Sequence, residues 1–454
     1  MYHPPVSERK PKPAPKVTPA MQQFHRFKEQ HPDCVLFFRM GDFYEMFHDD
    51  AELAHRVLGV TLTQRTEGVP MAGVPYHSVE SYLRRMIQAG YRVAVCDQVE
   101  DPAQAKGIVK RDVTRVITPG TLTDESLLDE GRTNPLAAVV WGDRHEGAEN
   151  ANVSVAWADL STGAFSVATF AETELIDELA RIAPSELLVC DSDDTGDVPQ
   201  RVRALADRLG CVASLRPLWQ FDPREADDVL RKQFRVATLE GFGFERDDEA
   251  LRPAGAVVHY LIETQKVGGP PGSGGGGSGA AGGAAFPGVD RIAHLQPPRR
   301  YTRAEHLVID ETSLRSLEVE RTVRSQSLDG SLLGVFRGRG QDCRTAMGKR
   351  TLRHWLCYPL TDRAAIEERQ NVVATLVADA RLLDELRDAL AGVQDVQRIV
   401  GRISVNRATP RDLVGLGASA AQAQSLASLL TDSPAVRPYH ERLAAIAEPL
   451  STLA

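Results

Sequence analysis

The sequence reads Arg39-Met40-Gly41-Asp42-Phe43-Tyr44-Glu45-Met46-Phe47 at the point around which the N-terminal part of the chain is organised. The apolar run at 35–38 comes before this stretch and predicts a buried strand. Apolar residues then recur at helical spacing within 45–57, which predicts a helix. Gly41 and Asp42 would form the strand-to-helix turn, because glycine relaxes the backbone and aspartate caps helix starts.

On this interpretation Phe43 lies at the mouth of a strand–turn–helix corner, with Glu45 on the same rim. A large aromatic residue at the start of a helix is most often an anchor in the core. From these residues alone, an anchor and an exposed functional side chain both stay open for Phe43.

The composition indicates a globular protein with local rather than general basic character. The 454 residues are enough for about three domains, and the 42% hydrophobic and 25% charged residues are ordinary values. A net charge of −9 argues against a protein that coats nucleic acid indiscriminately. A basic cluster comprises Lys106, Lys110, Arg111 and Arg115. It is either a solvated face or a phosphate-contacting patch.

The six cysteines are scattered without CxxC spacing, so neither a zinc site nor a disulfide framework is indicated. Cys34 and Cys96 lie in or beside apolar runs, which predicts buried free thiols. The N-terminus lacks the apolar core of a signal peptide, and no apolar run approaches membrane-spanning length. We therefore expect a cytoplasmic protein without a membrane partner.

Three further motifs downstream carry a resemblance to a known family. They are Pro70-Met71-Ala72-Gly73-Val74-Pro75-Tyr76-His77, Cys96-Asp97-Gln98-Val99 and Val116-Ile117-Thr118-Pro119-Gly120-Thr121. In this order and at these separations, they resemble the N-terminal domain of the MutS family of bacterial DNA mismatch-recognition proteins. The resemblance runs from about Met21 to the C-terminus, interrupted by one glycine-rich insert. It implies that a Phe-x-Glu pair probes the duplex, and this pair falls on Phe43 and Glu45.

The resemblance and the composition together predict a multidomain protein with two α/β domains followed by an all-α domain. We expect a disordered basic arm at 1–20 and a small mixed α/β mismatch-recognition domain at 21–128. A ribonuclease-H-like connector domain follows at 134–263, then a Gly/Pro-rich linker insert at 264–300. Residues 301–454 are expected to form an incomplete helical core or lever domain.

Two local patterns invite other functions. Gly348-Lys349 suggests a P-loop, but Arg350 stands where that motif needs Ser or Thr, so a lever-domain helix is expected. Asp159 follows a predicted strand and raises a nuclease alternative, since ribonuclease-H-like folds can carry metal-binding carboxylates. No partner acids are evident, so a surface or turn-capping aspartate is expected. We predict no catalytic residue and no metal ligand in this chain.

The chemistry of the Phe-x-Glu pair suits mismatch recognition. Wedging an apolar side chain between base steps costs a few kcal/mol of unstacking, and this cost is least at a defective pair. Stacking of Phe43 on the unpaired base would recover roughly 1–3 kcal/mol. Glu45 is repelled by phosphates unless a distorted site offers a base N–H or the carboxyl becomes protonated, so it discriminates against normal duplex.

The remaining expectations concern neighbouring contacts and partners. Arg65, Pro70 and Met71 either approach the same groove or pack in the core. The resemblance implies mismatched double-stranded DNA, a MutL-like repair protein and a sliding clamp as partners, with a homodimer in the intact protein. It also implies ATP and Mg²⁺ in an ATPase domain that we expect to be missing from this chain. The alternative is a module that docks repair partners without sensing mismatches.

Overall fold

The computed structural model describes residues 18–66, 68–100, 108–142, 151–192, 194–245, 248–266, 291–337, 343–430 and 434–450. The expected basic arm at 1–20 therefore lies almost entirely outside the described residues. Two mixed α/β domains are followed by a helical part, as the sequence predicts. Among the described residues, no helix combines the length and the apolar content needed to cross a bilayer.

The first domain is built on a six-stranded mixed sheet. Its strands are β1 Val35–Met40, β2 Phe43–Phe47, β3 Thr63–Thr66, β4 Val69–Pro75, β5 Val93–Gln98 and β6 Arg111–Ile117. They lie in the order β3-β4-β2-β1-β5-β6, and only β1 and β5 pair in parallel. β1 therefore lies inside the sheet, between β2 and β5. The connection between the parallel strands β1 and β5 is a crossover.

Helices cover both faces of this sheet. The helices are α1 Pro19–Gln30, α2 Asp49–Leu58 and α3 Val79–Gln88. Val35 and Phe37 of β1 belong to the core cluster that includes residues of α2 and α3, whereas Leu36 and Phe38 pack on the α1 side. An apolar run without polar alternation is what a strand buried on both faces requires. The thiol of Cys34 is buried and free, as predicted, and burial raises its pKa to about 12.

The predicted strand–turn–helix corner is wrong. Residues 43–47 form a second strand, and the helix begins only at Asp49. Gly41 and Asp42 are the two-residue turn of a β-hairpin, in which Met40 pairs with Phe43 and Gly41 has a φ of +60°. Asp42 therefore caps no helix. The side chains of 43–46 alternate between exposed and buried positions with the period of a strand, and this signal outweighs the helical spacing that starts later.

The second domain contains another six-stranded sheet. Its strands are β7 Leu136–Trp141, β8 Asn152–Asp159, β9 Ala164–Ala171, β10 Glu186–Asp191, β11 Val212–Pro217 and β12 Arg299–Arg300. They lie in the order β11-β10-β7-β8-β9-β12. Its helices are α4 Leu175–Ile182, α5 Gln200–Leu209, α6 Pro223–Phe234 and α7 Leu251–Lys266. Gly163, with a φ of +78°, closes the predicted β8–β9 hairpin.

Both ends of the expected 264–300 insert belong to the second domain. Helix α7 continues to Lys266. Ile292 and Leu295 lie in the same core cluster as residues of α6 and α7, and β12 adds to the sheet edge beside β9. The glycine-rich segment at 268–283 lies outside the described residues.

The third part is helical, as expected. Its helices are α8 Glu311–Ser316, α9 Leu332–Arg337, α10 Ala346–Cys357, α11 Arg363–Ala378, α12 Ala380–Ala391, α13 Val396–Ser404, α14 Pro410–Leu429 and α15 Arg437–Leu450. Gly348 and Lys349 lie inside the first two turns of α10, which begins after the N-cap Thr345. This position confirms the expected helix.

Candidate nucleic-acid interface

Phe43 is the first residue of β2 and the most exposed aromatic side chain of the first domain that the structure describes. It is 48% exposed, whereas the next residue, Tyr44, is buried on the opposite face. Glu45 follows on the same face as Phe43 and is half-buried. Further along that face, Phe47 is buried against Phe24 of α1, with ring centroids 5.0 Å apart. The Phe43–Glu45 end of this face therefore extends beyond the part that α1 covers.

The neighbouring strand packs closely beside these two side chains. Gly73 of β4 lies opposite Glu45, and Pro75 lies opposite Phe43. A Cβ atom on Gly73 would lie 3.9 Å from both Cδ1 of Phe43 and Cγ of Glu45, which is ordinary van der Waals contact. Any side chain at position 73 would therefore touch both Phe43 and Glu45.

The turn that precedes Phe43 is held from two sides. The backbone N–H of Tyr76 donates to the Asp42 carbonyl at 2.9 Å. The Arg39 guanidinium lies 3.8 Å from the centroid of the Tyr76 ring, a distance at which cation–π attraction is effective. Arg111 Nε donates to the Arg39 carbonyl at 2.7 Å. These contacts fix the hairpin end, so Phe43 is presented on a rigid edge.

A buried hydrogen-bond network supports the other face of β2. The Tyr44 hydroxyl donates to Asp97 Oδ1 at 2.5 Å, and Thr114 Oγ1 donates to Asp97 Oδ2 at 2.7 Å. Burial, followed by the hydrogen bond to Asp97, raises the pKa of Tyr44 well above its ordinary value. The hydroxyl therefore stays protonated and ties β2 to β5 and β6 directly behind Phe43.

Of the predicted basic cluster, Lys110 is the residue that lies exposed at the end of the sheet where Phe43 stands. The parallel pairing of β1 with β5 brings the ends of both strands together, and Gln98 at the end of β5 pairs with Arg111. Lys110 precedes Arg111 and is exposed. It lies three strand positions from β2, or roughly 14 Å at ordinary strand spacing.

Arg111 and Arg115 both contact other residues of the first domain, and their expected contact with phosphates stays a prediction. Arg111 is only 7% exposed, and its guanidinium also donates to the Val109 carbonyl at 3.0 Å. Arg115 pairs with Glu80 at 3.2 Å and with Asp124 at 3.3 Å.

The other expected contacts divide between the core and the undescribed part of the chain. Met71 lies opposite Phe47 and is half-buried against the α1-side cluster, which supports the core-packing alternative. Pro70 is also half-buried, and its carbonyl accepts from the His48 N–H at 3.1 Å. Arg65 lies in β3, at the point where pairing with β4 shifts register. The side chain of Arg65 and the whole of Lys106 lie outside the described residues.

Asp159 is a turn-capping residue, as expected, although it is buried rather than on the surface. Its carboxylate accepts from the backbone N–H of Asn134 at 3.1 Å and of Ser161 at 2.9 Å, and from Ser161 Oγ at 2.7 Å. Within the described ranges, no group of three or more His, Cys, Asp or Glu side chains could hold a metal ion. The geometry gives the nuclease alternative no support.

The supporting residues of the Phe43 edge were not singled out from the sequence. Arg39, Tyr76 and Asp97 all stand within the quoted motifs. Their contacts join residues that are 37 to 53 positions apart, from Arg39 to Tyr76 and from Tyr44 to Asp97. The sequence indicated these positions only through the collinear motifs. The spacing of residues in a sequence does not show which distant residues will be in contact.

The fold and this edge define a class of protein. A small mixed α/β domain presents an aromatic and a carboxylate side chain on one rigid sheet edge, and a second α/β domain and a helical part follow. Family models identify each part in turn: MutS domain I matches residues 18–126, MutS domain II matches 134–269 and MutS domain III matches 312–453. The chain belongs to the MutS family.

Individual relatives agree with this assignment. The DNA mismatch repair protein MutS of Rhodopirellula baltica is 40% identical over 416 residues, covering 87% of this chain and 43% of the relative. The MutS of Alkaliphilus oremlandii is 37% identical over 414 residues, covering 89% and 43%. That of Syntrophomonas wolfei is 38% identical over 438 residues, covering 94% and 46%. The chain therefore spans less than half the length of the curated relatives it matches.

Proposed function

We propose that this chain recognises mismatched base pairs in double-stranded DNA, with Phe43 as a wedge that stacks on the mispaired base. The exposure of Phe43 carries this proposal: an aromatic side chain that is 48% exposed stands on a turn fixed by Tyr76, Arg39 and Arg111. A rigid wedge loses little conformational freedom when it binds. Insertion is favoured where a mismatch has already weakened pairing and stacking, so selectivity arises from DNA deformability.

Glu45 is proposed to provide the discriminating contact from the minor-groove side. It is on the same strand face as Phe43, and Gly73 of β4, which has no side chain, lies opposite it. A carboxylate accepts a hydrogen bond from a base N–H, or donates one when protonated. On matched duplex it meets mainly phosphate repulsion. Lys110, at the same sheet edge, supplies attraction to the DNA backbone without reading sequence.

In the whole protein, this recognition step would belong to ATP-dependent mismatch repair in the cytoplasm, at the nucleoid. ATP and Mg²⁺ would act through the ATPase domain that the family resemblance implies. A homodimer, a MutL-like repair protein and a sliding clamp are the proposed protein partners. These assignments are supported by the match to MutS domains I, II and III.

The substitution Phe43→Ala tests the wedge. We expect it to erase the preference for a G·T or looped duplex over matched duplex and to leave weak general DNA binding. The lost stacking of roughly 1–3 kcal/mol corresponds to about a 5- to 150-fold change in dissociation constant. Fluorescence anisotropy of labelled duplexes measures both affinities, in this chain and in the intact protein.

Phe336→Ala is the matched control, because Phe336 is an exposed phenylalanine of α9 in the helical part. It should leave the preference for mismatched duplex unchanged. Discrimination that survives in Phe43→Ala would contradict the wedge.

A second candidate function is the docking of repair partners, and one surface feature favours it. Leu218 and Trp219 are adjacent in the second domain and are 56% and 52% exposed. Exposed tryptophan is typical of protein-interface hot spots.

If docking is the main function, Trp219→Ala should weaken capture of a MutL-like protein at least about tenfold. Trp355→Ala, at an exposed tryptophan of α10, is the control. Unchanged capture by Trp219→Ala would remove this candidate.

A further inference from the structure

A cavity of about 370 Å³ lies between the second domain and the helical part. Strand β12 and the end of α4 form one side of it, and α10 forms the other. Tyr301 and Tyr358 line the cavity with their rings in edge contact, at 6.0 Å between centroids. The residues that line the cavity belong to the second domain and the helical part, whereas Phe43 belongs to the first domain.

Buried hydrogen-bond donors in the cavity lining lack acceptors. The Arg181 side chain is fully buried and gives one N–H to Glu178, but its Nε and Nη1 find no acceptor among the described residues. In the same part of the chain, Nη2 of the buried Arg353 also has no hydrogen-bond partner. Buried donors are costly to leave unpaired, so this arrangement calls for an acceptor ligand.

Five arginines and two carboxylates line the cavity, namely Arg181, Arg299, Arg300, Arg350 and Arg353 with Asp159 and Glu305. Four of these arginines pair with carboxylates, Arg181 with Glu178, Arg300 with Asp248, Arg350 with Asp395 and Arg353 with Glu320, whereas Arg299 forms no ion pair with a described residue. Asp159 already accepts the three hydrogen bonds of its turn. Burial first, and then the charges of His306 and Arg353, lower the pKa of His354 to about 4. His354 is therefore neutral near pH 7.

We propose that this cavity binds the phosphate group of a small anion. Arginine forks donate in the planar geometry that phosphate oxygens accept, and Arg181 and Arg353 offer such donors from a buried position. The phosphate is either free or carried by a small organic molecule that packs on the tyrosine rings.

The burial of the donors argues against a DNA backbone as the ligand. Arg181 is completely enclosed, and the side chain of Arg353 is only 7% exposed. A duplex is a wide rod whose phosphates contact surface side chains, so it cannot reach donors inside a 370 Å³ cavity. A small phosphate-bearing molecule can.

The experiment is calorimetric titration of the full chain with inorganic phosphate and, separately, with ribose 5-phosphate, at constant ionic strength. We expect saturable binding of at least one of them, together with a downfield shift of the His354 imidazole resonances as its pKa rises. Binding of phosphate identifies a free anion as sufficient. Binding of ribose 5-phosphate alone identifies an organic phosphate as the ligand.

Two substitutions at exposed positions test the site, so that no buried residue has to be changed. Arg299 is an exposed residue of β12 that lines the cavity and forms no ion pair with any described residue. Arg299→Gln should therefore keep the fold and weaken binding by about tenfold. Arg381→Gln removes the same charge from the exposed face of α12 and should bind like the unmodified chain. Equal affinity in all three proteins, or no saturable binding of either ligand, would overturn the proposal.

Discussion

Phe43 and Tyr44 are neighbours in the sequence but have opposite roles. One ring points to solvent at a sheet edge, and the other is buried with its hydroxyl on Asp97. The alternation of a strand produces this division, since successive side chains point to opposite faces. One residue can therefore be exposed for binding while the next supplies the rigidity that a wedge requires.

Glu45 provides the sharpest test at this scale. We expect Glu45→Ala to reduce discrimination between mismatched and matched duplex more than it reduces affinity, and to leave binding to matched duplex equal or stronger. The reason is that removal of the carboxylate removes phosphate repulsion together with the base contact. Competition binding with matched and G·T duplexes measures the ratio. Glu29→Ala, at an exposed position of α1, is the control and should leave the ratio unchanged. Equal weakening on both duplexes would count against the repulsion argument.

At the scale of elements, the β1–β2 hairpin determines where Phe43 stands. Its two-residue turn requires a positive φ at the first position, which Gly41 supplies. A Cβ atom on Gly41 would contact nothing within 4 Å, so substitution there tests backbone strain alone. Tyr76, which holds the turn, belongs to the segment that follows β4. The edge therefore needs three strands to be in place.

Gly41→Ala is expected to destabilise the first domain by about 1–2 kcal/mol, because an L residue disfavours this conformation. Urea unfolding followed by far-ultraviolet circular dichroism measures the free energy of unfolding. Gly241→Ala is the matched control: its Cβ would also meet nothing within 4 Å, and its φ is not positive. That variant should change stability by less than about 0.5 kcal/mol. A similar loss in both variants would mean that turn strain is not the cause.

At the scale of the whole molecule, a buried carboxylate joins the first two domains. Glu186, at the start of β10, accepts from Thr118 Oγ1 at 2.6 Å and from the Gly120 N–H at 2.9 Å, both from the segment that follows β6. It also accepts from Ser214 Oγ at 2.6 Å and from the Tyr260 hydroxyl at 2.5 Å. A Cβ atom on Gly120 would lie 2.9 Å from Cβ of Glu186, so this close approach requires glycine.

The helical part holds the link between the same two domains. Arg398 of α13 donates to the carbonyls of Asp129 and Arg132 at 2.9 and 2.7 Å. Arg350 of α10 donates to the Glu130 carbonyl at 3.1 Å while it pairs with Asp395 at 2.6 Å. The segment between the first domain and the second domain is therefore fixed by the third.

Glu186→Gln tests this junction. Gln presents an N–H where the carboxylate accepted two hydrogen bonds, so we expect a loss of about 1–3 kcal/mol in the free energy of unfolding. In limited proteolysis of the folded protein, cleavage within 118–134 should also be faster, because the first domain is less firmly attached. Glu368→Gln, at an exposed position of α11, should leave both measurements unchanged. Unaltered stability in Glu186→Gln would show that the carboxylate does not hold the junction.

Local patterns were enough to predict the buried strand at 35–38 and the helix over Gly348-Lys349, because side-chain period and turn residues act over a few positions. The three-part organisation and the Phe43–Glu45 pair came from collinear motifs. The helical spacing of apolar residues predicted a helix over 45–57, although residues 43–47 form a strand and the helix begins at Asp49. The sequence also placed Arg111 and Arg115 in a basic cluster, because charge in a sequence does not show which carbonyl or carboxylate will lie beside an arginine in the fold.

Partners far apart in the chain were decided only by tertiary packing. The sheet order places Lys110 at the Phe43 edge and carries Arg115 to Glu80 and Asp124. It also brings Glu186 to Thr118 and Gly120, across more than sixty positions. The composition and motifs of the chain were enough to specify its family and its three parts. Which charged groups are buried and which are exposed depends on contacts between distant segments, because burial and hydrogen bonding are properties of the assembled interior.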